Sequence, residues 1–181
     1  MTRVAILDRH PAVRAGLHAL LRSVPGLAFA GSASHRRELL PLLYRTDPDV
    51  LLVDELELVR RVKTEAPRTR VVLYVAEPSA ELMLAAAIAG ADGVLDKSAS
   101  ERELLCALRG EPMLPAVTPQ VQARAAARLD PRDRPIFAMR LAGTSVRDIA
   151  GVVGMTVSAL NGRVQAIVAQ LSAPARPLAA A

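Results

Sequence analysis

The stretch Asp47–Asp54, DPDVLLVD, runs four apolar residues in a row, Val50–Val53, and closes on a carboxylate. A short continuous apolar run without polar alternation predicts a strand buried on both faces, as in parallel sheets. The flanking sequence repeats that pattern with helices between. Upstream, Val4–Leu7 is a first apolar run, and Pro11 to Ser23 places Val13, Leu17, Leu20 and Leu21 at helical spacing. Leu27–Ala30 is a second run, followed by a helical stretch from His35 to Arg45. Downstream, Glu57–Glu65 predicts a helix ending before Pro67, Val71–Val75 a fourth strand, and Ser79–Ala89 a helix closed by Gly90. Gly93–Leu95 is a short fifth strand. Ser100, with Glu103 three residues on, has the capping-box pattern and opens a helix to Arg109. Strands alternating with helices five times predict an α/β fold with a doubly wound parallel five-stranded sheet. Ligands of such sheets sit at the strands' C-terminal edge.

The rest of the chain reads differently. Gly110 to Pro119 holds three prolines and predicts a linker, followed by a connecting helix from Thr118 or Pro119 to Arg128. After Leu129-Asp130-Pro131 comes a helical run to Ala142, stopped at Gly143. Ser145 can cap a second helix, Val146–Val153, stopped at Gly154, and Thr156 a third, Val157–Leu171. Two helices joined by a tight glycine-containing turn form a helix-turn-helix unit. Predicted boundaries are thus 1–110 for the α/β domain, 111–128 for linker and connecting helix, 129–171 for the small all-α domain, and 172–181 for a disordered Ala/Pro tail.

Composition narrows the function. With two Tyr, two Phe and no Trp in 181 residues, the chain lacks the flat rings an RNA-stacking surface needs. A lone Cys106 excludes an intrachain disulfide and is expected to fill core. No Cys/His cluster has zinc-ligand spacing. Without a leader pattern or an apolar run long enough to span a bilayer, the expectation is a soluble, cytoplasmic protein with no membrane partner. Residues 1–110 carry 15 Lys+Arg against 14 Asp+Glu, whereas residues 111–181 carry 8 against 4. A basic small module beside a near-neutral larger one suits a nucleic-acid reader under a separate control domain. A coding bias toward Arg would give the same numbers.

Three segments carry a family resemblance. RVAILDRHPAVRAGLHALL (3–21), DPDVLLVD (47–54) and AGADGVLDKSAS (89–100) resemble the receiver domains of LuxR/NarL-type bacterial response regulators, over residues 2–110. The resemblance implies a flavodoxin-like sheet, with Asp54 at the phosphoacceptor position, Lys97 at the active-site lysine and Asp8 at the first of two metal-binding acids. An aspartate attacking a phosphoryl group needs Mg²⁺ to neutralise the reacting oxygens, and Mg²⁺ demands clustered hard oxygen ligands. Here the second acid is replaced by Arg9, which cannot coordinate a cation and is expected to pair with Asp8 or Asp54, lowering their pKa values. Val75 stands where the family has a hydroxyl residue, Val94 where it has an aromatic switch. The Met-Pro-Gly loop after the phosphoacceptor is missing. His10, His18 and His35 have no carboxylate, Ser or Cys partner at suggestive spacing and read as surface or helix residues.

Residues 129–171 resemble the LuxR-type helix-turn-helix without a gap, through LDPRDRPIF (129–137) and LAGTSVRDIAGVVGMTVSALNGRVQAIVAQL (141–171). Such a motif lays its third helix in the major groove. Thr156, Ser158, Asn161, Gly162, Arg163 and Gln165 are the outward candidates on that helix, with Arg147 and Arg132 as backbone clamps. The resemblance departs at Asn161, where the family usually has Lys, and in the absence of a fourth helix.

The sequence therefore predicts a DNA-binding transcriptional regulator, not an enzyme, with a degenerate receiver that works without phosphorylation and needs no cofactor or metal. Expected partners are double-stranded DNA and a second copy or another regulator, because so thinly charged a helix binds phosphate weakly alone. An alternative stays open: an interaction module that modulates another regulator without touching DNA. A catalytic use of the strand-end pocket lacks a metal cage, a nucleophile–base pair and a glycine-rich phosphate loop.

Overall fold

The computed structural model describes residues 1–111 and 118–173; the remaining linker residues, 112–117, and the tail from 174 lie outside the described residues. The strands are β1 (Thr2–Leu7), β2 (Leu27–Ala33), β3 (Val50–Val53), β4 (Arg70–Val75) and β5 (Gly93–Asp96). The helices are α1 (Pro11–Ser23), α2 (Leu39–Thr46), α3 (Leu56–Glu65), α4 (Ala80–Ala89), α5 (Glu101–Arg109), α6 (Pro119–Arg128), α7 (Arg134–Leu141), α8 (Val146–Val153) and α9 (Val157–Ser172). Two compact units result: one holds the strands with α1–α3 and α5, the other holds Ser79–Ile88 with α6–α9.

In the first unit all strands are parallel, in the order β2-β1-β3-β4-β5. β3 is fully buried, as its unbroken apolar run requires. Side chains alternate between two faces. Val4, Ile6, Val50, Leu52, Val72 and Tyr74 join Leu17 and Leu21 of α1 and Leu104 and Leu108 of α5 in one cluster. α2 and α3 pack against β1–β4. β2 is longer than predicted because Gly31, Ser32 and Ala33 continue pairing with Ala5, Ile6 and Leu7 past a register shift. Glycine is needed at 31, where a Cβ would come 2.9 Å from the Thr46 methyl. The helix predicted from His35 begins instead as a 3-10 turn, Arg36–Glu38, with the Glu38 carboxylate accepting from the backbone N–H groups of Ser34 and His35. Ser100 and Glu103 form the predicted capping box. Cys106 is only half-buried.

In the second unit, Ile136, Phe137, Ile149, Leu160, Val164, Ile167 and Leu171 form the buried interior. α7 starts at Arg134, because Pro131 to Asp133 form a turn in which Asp133 N–H donates to Asp130 O. α8 and α9 meet at 105°, within the usual range for the motif. Gly154, at φ +67°, closes α8 in the left-handed conformation that favours glycine. Ser145 and Thr156 accept at the N-termini of α8 and α9 from the backbone N–H groups of Asp148 and Ala159. Among the described residues, no single helix is long and apolar enough to cross a membrane.

Candidate functional site

Strand register builds the pocket. Leu7 pairs with Val53, so Asp8 and Asp54 stand side by side one residue past β1 and β3, and Asp54 N–H donates to Leu7 O at 3.2 Å. Lys97 follows β5 and donates its N–H to the O of Val75, which ends β4. Lys97 Nζ lies 2.6 Å from Asp8 Oδ2. The Arg9 backbone N–H donates to Asp54 Oδ2 at 3.1 Å, and its guanidinium Nε stands 3.8 Å from the same oxygen. Each carboxylate thus gives one oxygen to a cationic residue. Asp8 Oδ1 accepts from His10 N–H at 2.7 Å and lies 3.0 Å from His10 Nδ1. Asp54 Oδ1 is buried and has no hydrogen-bond partner among the described residues. α3 begins at Leu56, two residues after Asp54, as the missing loop implies.

Burial alone would raise the Asp8 pKa, but the Lys97 ammonium and the His10 donors outweigh it and hold the carboxyl below its ordinary value. Of the two partners expected for Arg9, Asp8 or Asp54, it leans toward Asp54 with 73% of its side chain exposed, and Lys97 takes Asp8. His10 is a correction, since its carboxylate partner lies two residues back. The available signal was Asp-x-His at the end of a strand, where the chain turns and brings i and i+2 together. His18 stacks on Phe29 and His35 precedes the 3-10 turn, so neither joins the pocket. Tyr74, also missed, places its ring 5.8 Å from Lys97 Nζ, and burial followed by the charges of Asp8 and Asp96 pushes its phenol up. Val94 is buried.

On the second unit, Thr156, Ser158 and Gln165 are exposed along α9 beside open Gly162, and Asn161 is half-buried. Arg163, predicted to face outward, is half-buried and donates through Nε to Asp133 Oδ1 at 2.8 Å. Arg140 donates to the carbonyls of Ile88 and Thr144, and Arg128 to those of Gln170 and Ala173. Arg134 reaches Leu129 O and Arg124 pairs with Glu81. Among the described residues of α6–α9 and their connections, the Arg132 and Arg147 side chains alone among cations have no such partner, and both are exposed.

The Arg163 geometry makes a prediction. Removing one partner of a largely buried pair leaves the other's charge uncompensated, although the half-exposed Arg163 moderates the loss. Arg163→Ala is expected to destabilise the second unit by about 1–3 kcal/mol in urea unfolding. Lost DNA affinity at unchanged stability would instead put Arg163 on DNA.

A parallel five-stranded sheet with two aspartates and a lysine at its C-terminal edge, in a chain that continues into a helical C-terminal region, defines a receiver-type domain. The chain belongs to the response regulator receiver domain family, whose profile matches residues 4–109. It is similar to the nitrate/nitrite response regulator protein NarL of Escherichia coli (strain K12), at 27% identity over 98% of this chain and 92% of NarL. A LuxR-family two-component response regulator from Aurantimonas sp. SI85-9A1 shares 26% identity, with a TM-score of 0.59, over 68% of this chain and 97% of that one. RcsB from Salmonella enterica serovar Typhimurium, solved bound to promoter rprA, has the same fold, with a TM-score of 0.60 and 18% identity over 96% of this chain and 94% of that one.

Proposed function

We propose that the chain is a DNA-binding transcriptional regulator whose receiver no longer takes a phosphoryl group in the usual way. The observation that carries the second half is Arg9. Magnesium does not fit the residues present: a guanidinium stands where the second acid is required, and Asp8 is already neutralised by Lys97 at 2.6 Å. Val75 adds no hydroxyl to hold a phosphoryl oxygen. Asp54 is then a strand-end carboxylate kept by its neighbours rather than a nucleophile. The chain fits no enzyme role, and its boundaries follow as a 1–110 receiver, a 111–128 connection and a 129–171 output domain.

DNA binding rests on the helix-turn-helix and on the relatives. RcsB is described with promoter DNA and as two dimers on two parallel DNAs. In this chain the N-terminus of α9, with Thr156 and Ser158, would meet a phosphate, Asn161 and Gln165 would face base edges, and Arg132 and Arg147 would clamp the backbone. So few cations give one subunit weak, salt-sensitive affinity, which favours action as a dimer or with a partner regulator, in the cytoplasm where DNA is reached. One observation favours the second reading, a module that modulates another regulator: the only cation on α9, Arg163, is paired with Asp133. Chromatin immunoprecipitation with sequencing tests the choice. Discrete promoter peaks lost in the Arg132→Ala/Arg147→Ala double variant are expected; an unenriched genome would leave the interaction module standing.

A further inference from the structure

We infer that a cavity at the N-terminal edge of the sheet, the edge opposite Asp54, binds a free α-amino acid with an apolar side chain. The cavity lies where α2 and α3 end and holds about 360 Å³, within the roughly 300–1,000 Å³ usual for small-molecule sites. Part of its lining is apolar, with Leu43 buried and Ala66 half-buried. Tyr44 and Pro67 line it too, and both are exposed. Tyr44 is 72% exposed, and its hydroxyl donates to Glu65 Oε2 at 3.3 Å, linking α2 to α3. A ring tethered at its polar end and open to solvent offers a face to an apolar side chain.

Charge selects the ligand. A helix C-terminus carries partial negative charge and favours cations, yet both of these helices end on an acid. Glu65 is the last residue of α3, and Asp47 caps α2. Asp47 meets Arg3 at 3.8 Å with its own side chain 95% exposed, a screened pair worth little. Glu65 has only the neutral Tyr44 phenol, and a carboxylate's two oxygens can take several donors. Two such acids at two negative helix ends suit a ligand ammonium. Arg68 supplies the opposite pole. It lines the same cavity and, among the described residues, makes no ion pair or side-chain hydrogen bond. Its planar fork matches a carboxylate through two parallel bonds. A simple amine would leave Arg68 unused, and a simple acid would meet Asp47 and Glu65; an amino-acid zwitterion satisfies all three. Bound there, it would join α2 to α3 and give this domain an input separate from the Asp8–Asp54 pocket.

The chain contains no Trp, so L-tryptophan emission reports the ligand free of protein tryptophan. Fluorescence anisotropy follows L-tryptophan as the full chain is added. Tryptamine, which lacks the carboxylate, and indole-3-propionate, which lacks the ammonium, are measured beside it, with L-leucine as competitor. The expected result is one site per chain that L-leucine displaces, binding L-tryptophan about tenfold or more tightly than either analogue. Arg68→Ala and Glu65→Gln should each weaken L-tryptophan by about tenfold or more. Tyr44→Ala should weaken it too, whereas Arg61→Ala, exposed on α3 outside the cavity, should leave it unchanged. Circular dichroism checks the fold of each variant. No anisotropy rise, equal binding by wild type and Arg68→Ala, or tryptamine binding as tightly as L-tryptophan overturns the inference.

Discussion

Incubated with acetyl phosphate and Mg²⁺, the wild-type chain is expected to remain unlabelled and to be indistinguishable from Asp54→Asn. The reason is local charge. The Arg9 backbone N–H and guanidinium both address Asp54 Oδ2, and Lys97 sits on Asp8, so the two acids are already compensated. Arg9→Asp changes the charge beside Asp54 by two units. At roughly 4 Å and an effective dielectric near 20, each unit is worth up to about 4 kcal/mol, so even strong solvent screening leaves room for a tenfold effect, about 1.4 kcal/mol. Arg9→Asp is therefore expected to bind Mg²⁺ at least about tenfold more tightly than wild type. Labelling should return less fully than metal binding, because Val75 still offers no hydroxyl. Stoichiometric labelling of the wild type that Asp54→Asn abolishes would refute the reading. An Arg9→Asp variant without Mg²⁺ affinity would mean the pocket has diverged beyond that residue.

Ile149→Ala is expected to abolish DNA binding although Ile149 cannot touch DNA. Ile149 is completely buried on α8, and deleting its outer carbons costs about 2–5 kcal/mol. A helical unit of this size has only a few kcal/mol of stability to lose. The substitution should therefore leave α7–α9 largely unfolded, with Ile149→Val, at about 0.5–1.5 kcal/mol, retaining the fold. Hydrogen exchange is the check: amides of α7–α9 should lose protection while those of β1, β3 and β4 keep theirs. Unchanged protection across α8 and α9 would contradict this packing.

Much of the architecture was legible because it depends on local chemistry. Uninterrupted apolar runs such as Val50–Val53 marked buried parallel strands, and Ser100, Ser145, Thr156 and Gly154 marked helix ends to within a residue. What escaped depended on contacts between distant segments. The extension of β2 through Ala33 needs β1 alongside it, which Gly31 and Ser32 do not advertise. Around the pocket, Asp8, Arg9, Asp54 and Lys97 were readable from the strand ends. Which cation takes which acid was not, since Arg9 and Lys97 both reach both carboxylates on paper. His10 was overlooked because its partner is set by the turn after β1, and Arg163 was misjudged because Asp133 lies thirty residues earlier.

Fluorescence anisotropy of the full, unphosphorylated chain on promoter fragments, from low salt upward, bears most directly on the proposed function. Wild type and Asp54→Asn should bind the same fragments equally, with log affinity falling linearly against log salt, and the Arg132→Ala/Arg147→Ala double variant should bind more weakly with a shallower slope. No binding at low salt, or binding only after phosphoryl transfer to Asp54, would contradict it.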